Sequence, residues 1–183
     1  PLGEINRVWG EVYMNASMES ILNGFDDPRR EAFFEPCPDD VLLQDREGRD
    51  SVRIPLKGQY RGIRQGTMFA HTLYSALSKI YVNVRTKPIL MTAAEVWFLR
   101  AEAALRGWTT EDPGICYEQG IRCSFSQWQV PGVETYLQSD CRAADFEDAF
   151  TPGNNIKARC LVTPRWDDAA SDEMKLERII TQK

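Results

Sequence analysis

Residues 89–108 read ILMTAAEVWFLRAEAALRGW, and this stretch decides the fold class. Ala, Leu, Glu and Arg dominate it, the residues that lose least on entering a helix. Thr92 stands where an N-cap accepts the first free amides, with Glu95 three positions on as its capping partner. Gly107 supplies the stop, because glycine takes the left-handed turn past a helix end without steric cost. Asp112 and Pro113 then open a second helix that runs through ICYEQGIRCSFSQWQV, residues 115–130. On it Tyr117, Ile121, Phe125 and Trp128 form one apolar stripe, and Pro131 ends it. Small residues at Ala94, Ala101 and Ala104, followed by Gly107, let two helix backbones approach closely, while Trp97, Leu105, Tyr117 and Phe125 are expected to fill the groove between them. On this periodicity Trp97 and Trp128 both belong to the core.

From Trp97 to Pro131 is a step of 34 residues, the period of a tetratricopeptide-like helical hairpin, with the matching order of small, large, aromatic and proline positions. One such unit cannot bury its outer face and needs neighbours. Towards the N-terminus, Ile5, Val8, Trp9, Val12, Tyr13, Ala16, Ile21, Leu22 and Phe25 recur mostly at helical steps. They predict one long helix over 4–25, stopped by Gly24 and the Asp26–Asp27–Pro28 turn. VLLQ and SVRIPL flank the polar DREGRD and predict a small β-hairpin. DREGRD is no calcium loop, since its glycine falls too early and no glutamate closes it. Residues 67–88 are expected to be mostly irregular. Beyond Pro131, VETYLQS extends or caps the hairpin, 143–155 is loop, CLVTPRW can form a short strand, and Ser171 with Asp172 opens a last helix. Its Met174, Leu176, Ile179 and Ile180 exceed what the remaining chain can cover. The expected class is mainly α, with tetratricopeptide-like hairpins, long loops and one small β-hairpin; residues 1–183 form a single domain or part of one.

Composition narrows the function. The 183 residues carry 43% hydrophobic residues, 12 Gly and 10 Pro, a globular balance. Size scaling at 20.9 kDa predicts a folded surface of roughly 9,000 Å² against about 30,000 Å² extended, so the core needs no staples. A net charge of −5 with no basic block speaks against nucleic acid. No apolar run reaches the roughly 20 residues of a membrane span, and the start PLGEINRVWG has no leader pattern. With no initiator Met and an end inside an amphipathic pattern, the chain is expected to be a fragment or processed piece. Five cysteines, Cys37, Cys116, Cys123, Cys141 and Cys160, are odd in number and widely spaced, so a full disulfide framework is not expected. Cys116 and Cys123 share a helix face two turns apart, too far to bridge, and read as small buried residues. Without CxxC or HxxxH pairs no zinc site is expected, and no cofactor is called for. The lone His71, in TMFAHTLYSAL, lacks a nucleophile elbow and reads as a local hydrogen-bonding residue.

The segments ILMTAAEVWFLRAEAALRGW, YEQGIRCSFSQW, GVETYL and DEMKLERIITQK, in this order and spacing, resemble the SusD/RagB family. SILNGFDDPRREAFF and YRGIRQG are similar to its DPR turn and to the glycine-bounded segment upstream of its last repeat. The resemblance covers nearly the whole chain. It implies the C-terminal portion of a SusD-like helical domain, from lipid-anchored proteins on the outer face of a Gram-negative outer membrane. Such proteins bind oligosaccharides or other nutrients and pass them to a TonB-dependent barrel transporter. The signal peptide, lipidated cysteine and early repeats of the pattern are not in this chain, so the membrane link would run through an anchor outside it. None of its cysteines is assignable as the anchor, and no glycan-contact motif carries over residue by residue.

Candidate contacts must therefore come from the residues themselves. Pyranose recognition needs aromatic planes for stacking and amide, carboxylate or guanidinium groups for hydroxyls. EAFFEPCPDD and KGQYRGIRQG combine these between Gly and Pro punctuation, which gives Phe33, Phe34, Tyr60, Arg61, Arg64 and Gln65 as ligand-binding candidates. The bland alternative is that the same aromatics pin long loops to the helices. Trp108 and Trp166 stand open between packing and exposure. A glycosidase would need two carboxylates across a cleft, but Asp26, Asp39 and Asp167 each sit in a doublet at a turn or helix start, where capping accounts for them. The sequence thus predicts no enzyme. The alternative function is a helical repeat scaffold that binds a protein partner without a small ligand.

Overall fold

The computed structural model describes residues 8, 10, 12–44, 51–67, 73–78, 85 and 87–183. Its elements are α1 (Ala16–Gly24), α2 (Arg30–Phe33), β1 (Val41–Gln44), β2 (Ser51–Ile54), α3 (Ala93–Leu105), α4 (Pro113–Trp128), α5 (Val133–Leu137), a 3₁₀ turn at Pro152–Asn154, and α6 (Asp172–Gln182). The mainly helical class with one small hairpin is as the sequence predicts. β1 and β2 pair antiparallel, Val41 opposite Ile54 and Gln44 opposite Ser51. The DREGRD turn between them, residues 68–72 with His71, and most of residues 4–11 lie outside the described residues.

The α3–α4 hairpin is built by its local signals. The Thr92 hydroxyl accepts from the Glu95 N–H at 3.0 Å, and Asp112 accepts from the Ile115 N–H at 2.9 Å with Pro113 behind it. Between the helices, Ala94 and Ala101 of α3 are buried, and so are Phe98 of α3 and Tyr117, Ile121 and Phe125 of α4. Phe98 lies directly on Gly120, where a Cβ would come within 2.6 Å of the ring. Small and large residues therefore sit on both helices. Trp97 corrects the expectation of a core indole: it is half-buried at the edge of the cluster, with Arg100 3.7 Å above its ring, and the neighbouring Phe98 points inward instead. Trp128 is also only half-buried, edge-on to Phe33 at 5.2 Å.

The single helix expected over 4–25 is interrupted: Val8 is helical, residues 12–15 are not, and α1 starts only at Ala16. Asn15 is the N-cap of α1, accepting from the Met18 N–H at 2.8 Å. Before it the backbone is extended, Tyr13 bridging Ala76 and Asn15 bridging Ile63. Long-range pairing claimed these residues before a helix could. CLVTPRW forms no strand: Val162 and Pro164 are buried, and the Pro164 carbonyl takes the Tyr117 hydroxyl at 2.8 Å in place of a strand partner. Of the last helix, Ile179 is buried while Met174 and Ile180 stay exposed.

One buried ion pair ties the elements together. In the turn between α1 and α2, Asp27 and Arg29 are 2% and 5% exposed and pair directly. The Arg29 guanidinium also donates to Ser124 of α4 at 2.9 Å, Tyr136 of α5 at 3.3 Å and Gln182 of α6 at 2.9 Å. It is flanked by the Phe125 and Tyr136 rings at 4.8 and 5.1 Å. Burial opposes its charge, yet the Asp27 carboxylate holds the guanidinium above its ordinary range. Every donor with a partner is what makes a charge tolerable at this depth.

Candidate functional site

The segment 58–67 runs across the N-terminal end of α1. Ile63 donates to Met14 and accepts from Ala16, at 2.9 and 3.0 Å. Gly62 fits only without a side chain, since a Cβ there would lie 2.4 Å from the Asn15 carbonyl. Its N–H donates to the buried Glu19 carboxylate. Arg61 pairs with Glu19 at 3.2 Å from one edge of its guanidinium and donates to the Glu147 carbonyl from another. Arg64 donates to the Gly153 carbonyl at 3.2 Å.

Loop 147–155 is shaped from within by Asp148, whose carboxylate accepts from the Phe150 and Thr151 amides at 2.8 Å and from Asn154 at 3.0 Å. Tyr74 meets Phe150 edge-on at 6.1 Å. Two loops far apart in sequence are thus clamped by two arginines. Burial raises Glu19 to about 6, against the pull of the Gly62 N–H and the Arg61 charge.

The six candidates fall into three environments. Tyr60, Arg61, Arg64 and Gln65 share the clamped segment. Gln65 is exposed, and Tyr60 is half-buried with Arg30 at 4.9 Å from its ring and its carbonyl held by Asn23. Arg61 and Arg64 already spend hydrogen bonds on the facing loop. Phe34 is 8% exposed, packed with Met14 and Leu22, so the protein itself covers its faces.

Phe33, partly buried against the same cluster, also lines a cavity of about 370 Å³ whose lining includes Trp128, Gln127, Glu95, Arg29 and Gln182. The helical stripe places Trp128 in the core by expectation, and nothing local in the sequence marks Gln127 and Gln182 as neighbours. Among the described residues no cluster of three metal-ligating side chains occurs, and no helix is long and apolar enough to cross a membrane. Trp166 is half-buried on Tyr117, ring centroids 5.1 Å apart, whereas Trp108 is 74% exposed.

Two loops clamped to each other and to α1 stand beside the α3–α4 hairpin, and comparison with known proteins gives this fold a family. The family model described as SusD-like, "Susd and RagB outer membrane lipoprotein", matches residues 1–183. A chitin-binding SusD homologue from Flavobacterium johnsoniae is 34% identical with a TM-score of 0.82, over 100% of this chain and 35% of its own. A SusD homologue from Bacteroides vulgatus is 35% identical with a TM-score of 0.79, over 96% and 34%. A SusD-like protein from Bacteroides thetaiotaomicron is 34% identical with a TM-score of 0.79, over 99% and 36%. No curated protein matches. The chain belongs to the SusD/RagB family of outer-membrane lipoproteins. It spans about a third of the length of these solved relatives.

Proposed function

We propose that this chain is part of a cell-surface protein that captures oligosaccharides or other nutrients and delivers them to a TonB-dependent outer-membrane transporter. The carrying observation is kinship over every residue of the chain with a family whose chitin-binding member is 34% identical. The loops supply fitting chemistry. Tyr60 and Phe33 offer partly open rings, Gln65 and Arg64 offer hydrogen-bonding edges, and Arg61 and Phe34 hold the loops in shape. Binding of this kind is noncovalent, by stacking and hydrogen bonding, and calls for no catalysis.

A glycan array probed with the intact protein, with chitin oligosaccharides included, tests the reading. Bound sugar should be recovered unchanged, and a bound sugar should raise the melting temperature. A second reading, a scaffold for a protein partner, is favoured by the outward apolar residues Val96 and Leu99 of α3 and Leu90 just before it, the last 93% exposed. Silence across the array together with stable capture of an outer-membrane protein would select it.

A further inference from the structure

The end of α3 closes in a Schellman motif: the Gly107 N–H donates to Ala104 at 3.0 Å and the Trp108 N–H to Ala103 at 2.9 Å, with Gly107 at φ +71°. In that motif the side chain at the Trp108 position commonly packs back on the helix. Here the facing residue is Ala103, and the indole stays 74% exposed. Its own N–H and that of Gly107 anchor the Trp108 backbone to the last turn of α3, while its ring is not spent on capping.

Arg106 lies 5.6 Å from the ring centroid and is itself fixed by Glu102, at 2.9 and 2.8 Å from two of its nitrogens. A cavity of about 440 Å³ joins Trp108 and Arg106 to Asp172, Glu173, Leu105 and Leu176. That volume falls within the roughly 300–1,000 Å³ of small-ligand sites.

We propose that Trp108 is the stacking platform of a further saccharide subsite, selective for neutral pyranosides. A pyranose presents an apolar C–H face to an indole and a rim of hydroxyls. Those hydroxyls can donate to the Asp172 and Glu173 carboxylates and accept from Arg106. The centre of a protein interface, in contrast, is depleted of acidic side chains such as the Asp172 and Glu173 that line this cavity. With Arg106 balanced by Glu102, the two remaining carboxylates disfavour uronic-acid and sulfated sugars.

The inference rests on the nutrient-capture reading above, and its test separates the two. Intact wild type, Trp108→Ala and Trp108→Phe are titrated calorimetrically with chitohexaose, maltoheptaose and an acidic oligogalacturonide. The expected result is binding of a neutral oligomer and not the acidic one, weakened about three- to tenfold by W108A and largely kept by W108F. Melting temperatures should match, because the cap is made by backbone. If wild type and W108A bind a neutral oligomer equally, the subsite is wrong and nutrient capture stands. If acrylamide quenches wild type and W108F alike, protein covers the ring and the subsite again falls alone. If no sugar in the array binds wild type, the subsite and the oligosaccharide form of the capture reading fall together.

Discussion

Glu19 shows how one buried carboxyl can tune a loop clamp. Its ordinary value of 4.5 rises to about 6 because burial penalises the anion more than the Gly62 N–H and the Arg61 and Asp148 charges on balance relieve it. Between those values the folded protein keeps a proton that the unfolded chain has lost. Its contribution to stability is therefore complete below pH 4.5 and fades as pH climbs through 6, by about 2 kcal/mol in all. Glu19→Gln should abolish this component. Urea unfolding of both proteins from pH 4 to 8 should give a stability difference that changes across that window, and parallel curves would remove Glu19 as its source. Exposed pairs such as Arg122–Glu134 and Arg53–Asp40 contribute little by comparison, since water screens them.

At the scale of elements, the α3–α4 hairpin depends on close approach at one glycine. Gly120→Ala would press a methyl against Phe98 and cost about 1–3 kcal/mol. Phe98→Leu in the same protein should return part of that loss, so a double-mutant cycle by thermal melting should show positive coupling. Thr92→Ala should cost about 1 kcal/mol through the lost cap on α3.

This hairpin was the most legible part of the sequence because Thr92, Gly107, Asp112 and Pro113 act on residues three or four positions away. The start of α1 was not, because Tyr13 and Asn15 are drawn into bridges with residues about fifty to sixty positions distant, and apolar spacing is silent about such partners. The candidate site was legible in kind but not in role. Arg61 and Arg64 were visible as loop cations, yet their carbonyl acceptors stand 86 and 89 positions later. Burial of Phe34 beside a more open Phe33 likewise follows from the bridge to Leu77, which no doublet announces.

Across the whole molecule, stability and reactivity follow from depth. Arg29→Met would strand Asp27 as an uncompensated buried anion and should cost about 3–5 kcal/mol. Arg29→Lys should recover little, since an ammonium cannot reproduce the forked contacts or the stacking between two rings. Denaturant melts of the two variants decide this. None of the five cysteines forms a disulfide, and only Cys141 is exposed; burial pushes the Cys37, Cys116 and Cys160 thiols up. A chromogenic disulfide reagent should therefore modify Cys141 first in the native protein and reach Cys37 and Cys116 only on global unfolding.

The Arg29 side chain meets Gln182 across 153 positions of chain. A ribosome must have released almost all of this sequence before that guanidinium can be fully satisfied. Until then the guanidinium, whose charge partner Asp27 lies only two positions away, lacks one of its hydrogen-bond acceptors. Emergence of α6, rather than of any single early helix, completes the hydrogen bonding of that guanidinium.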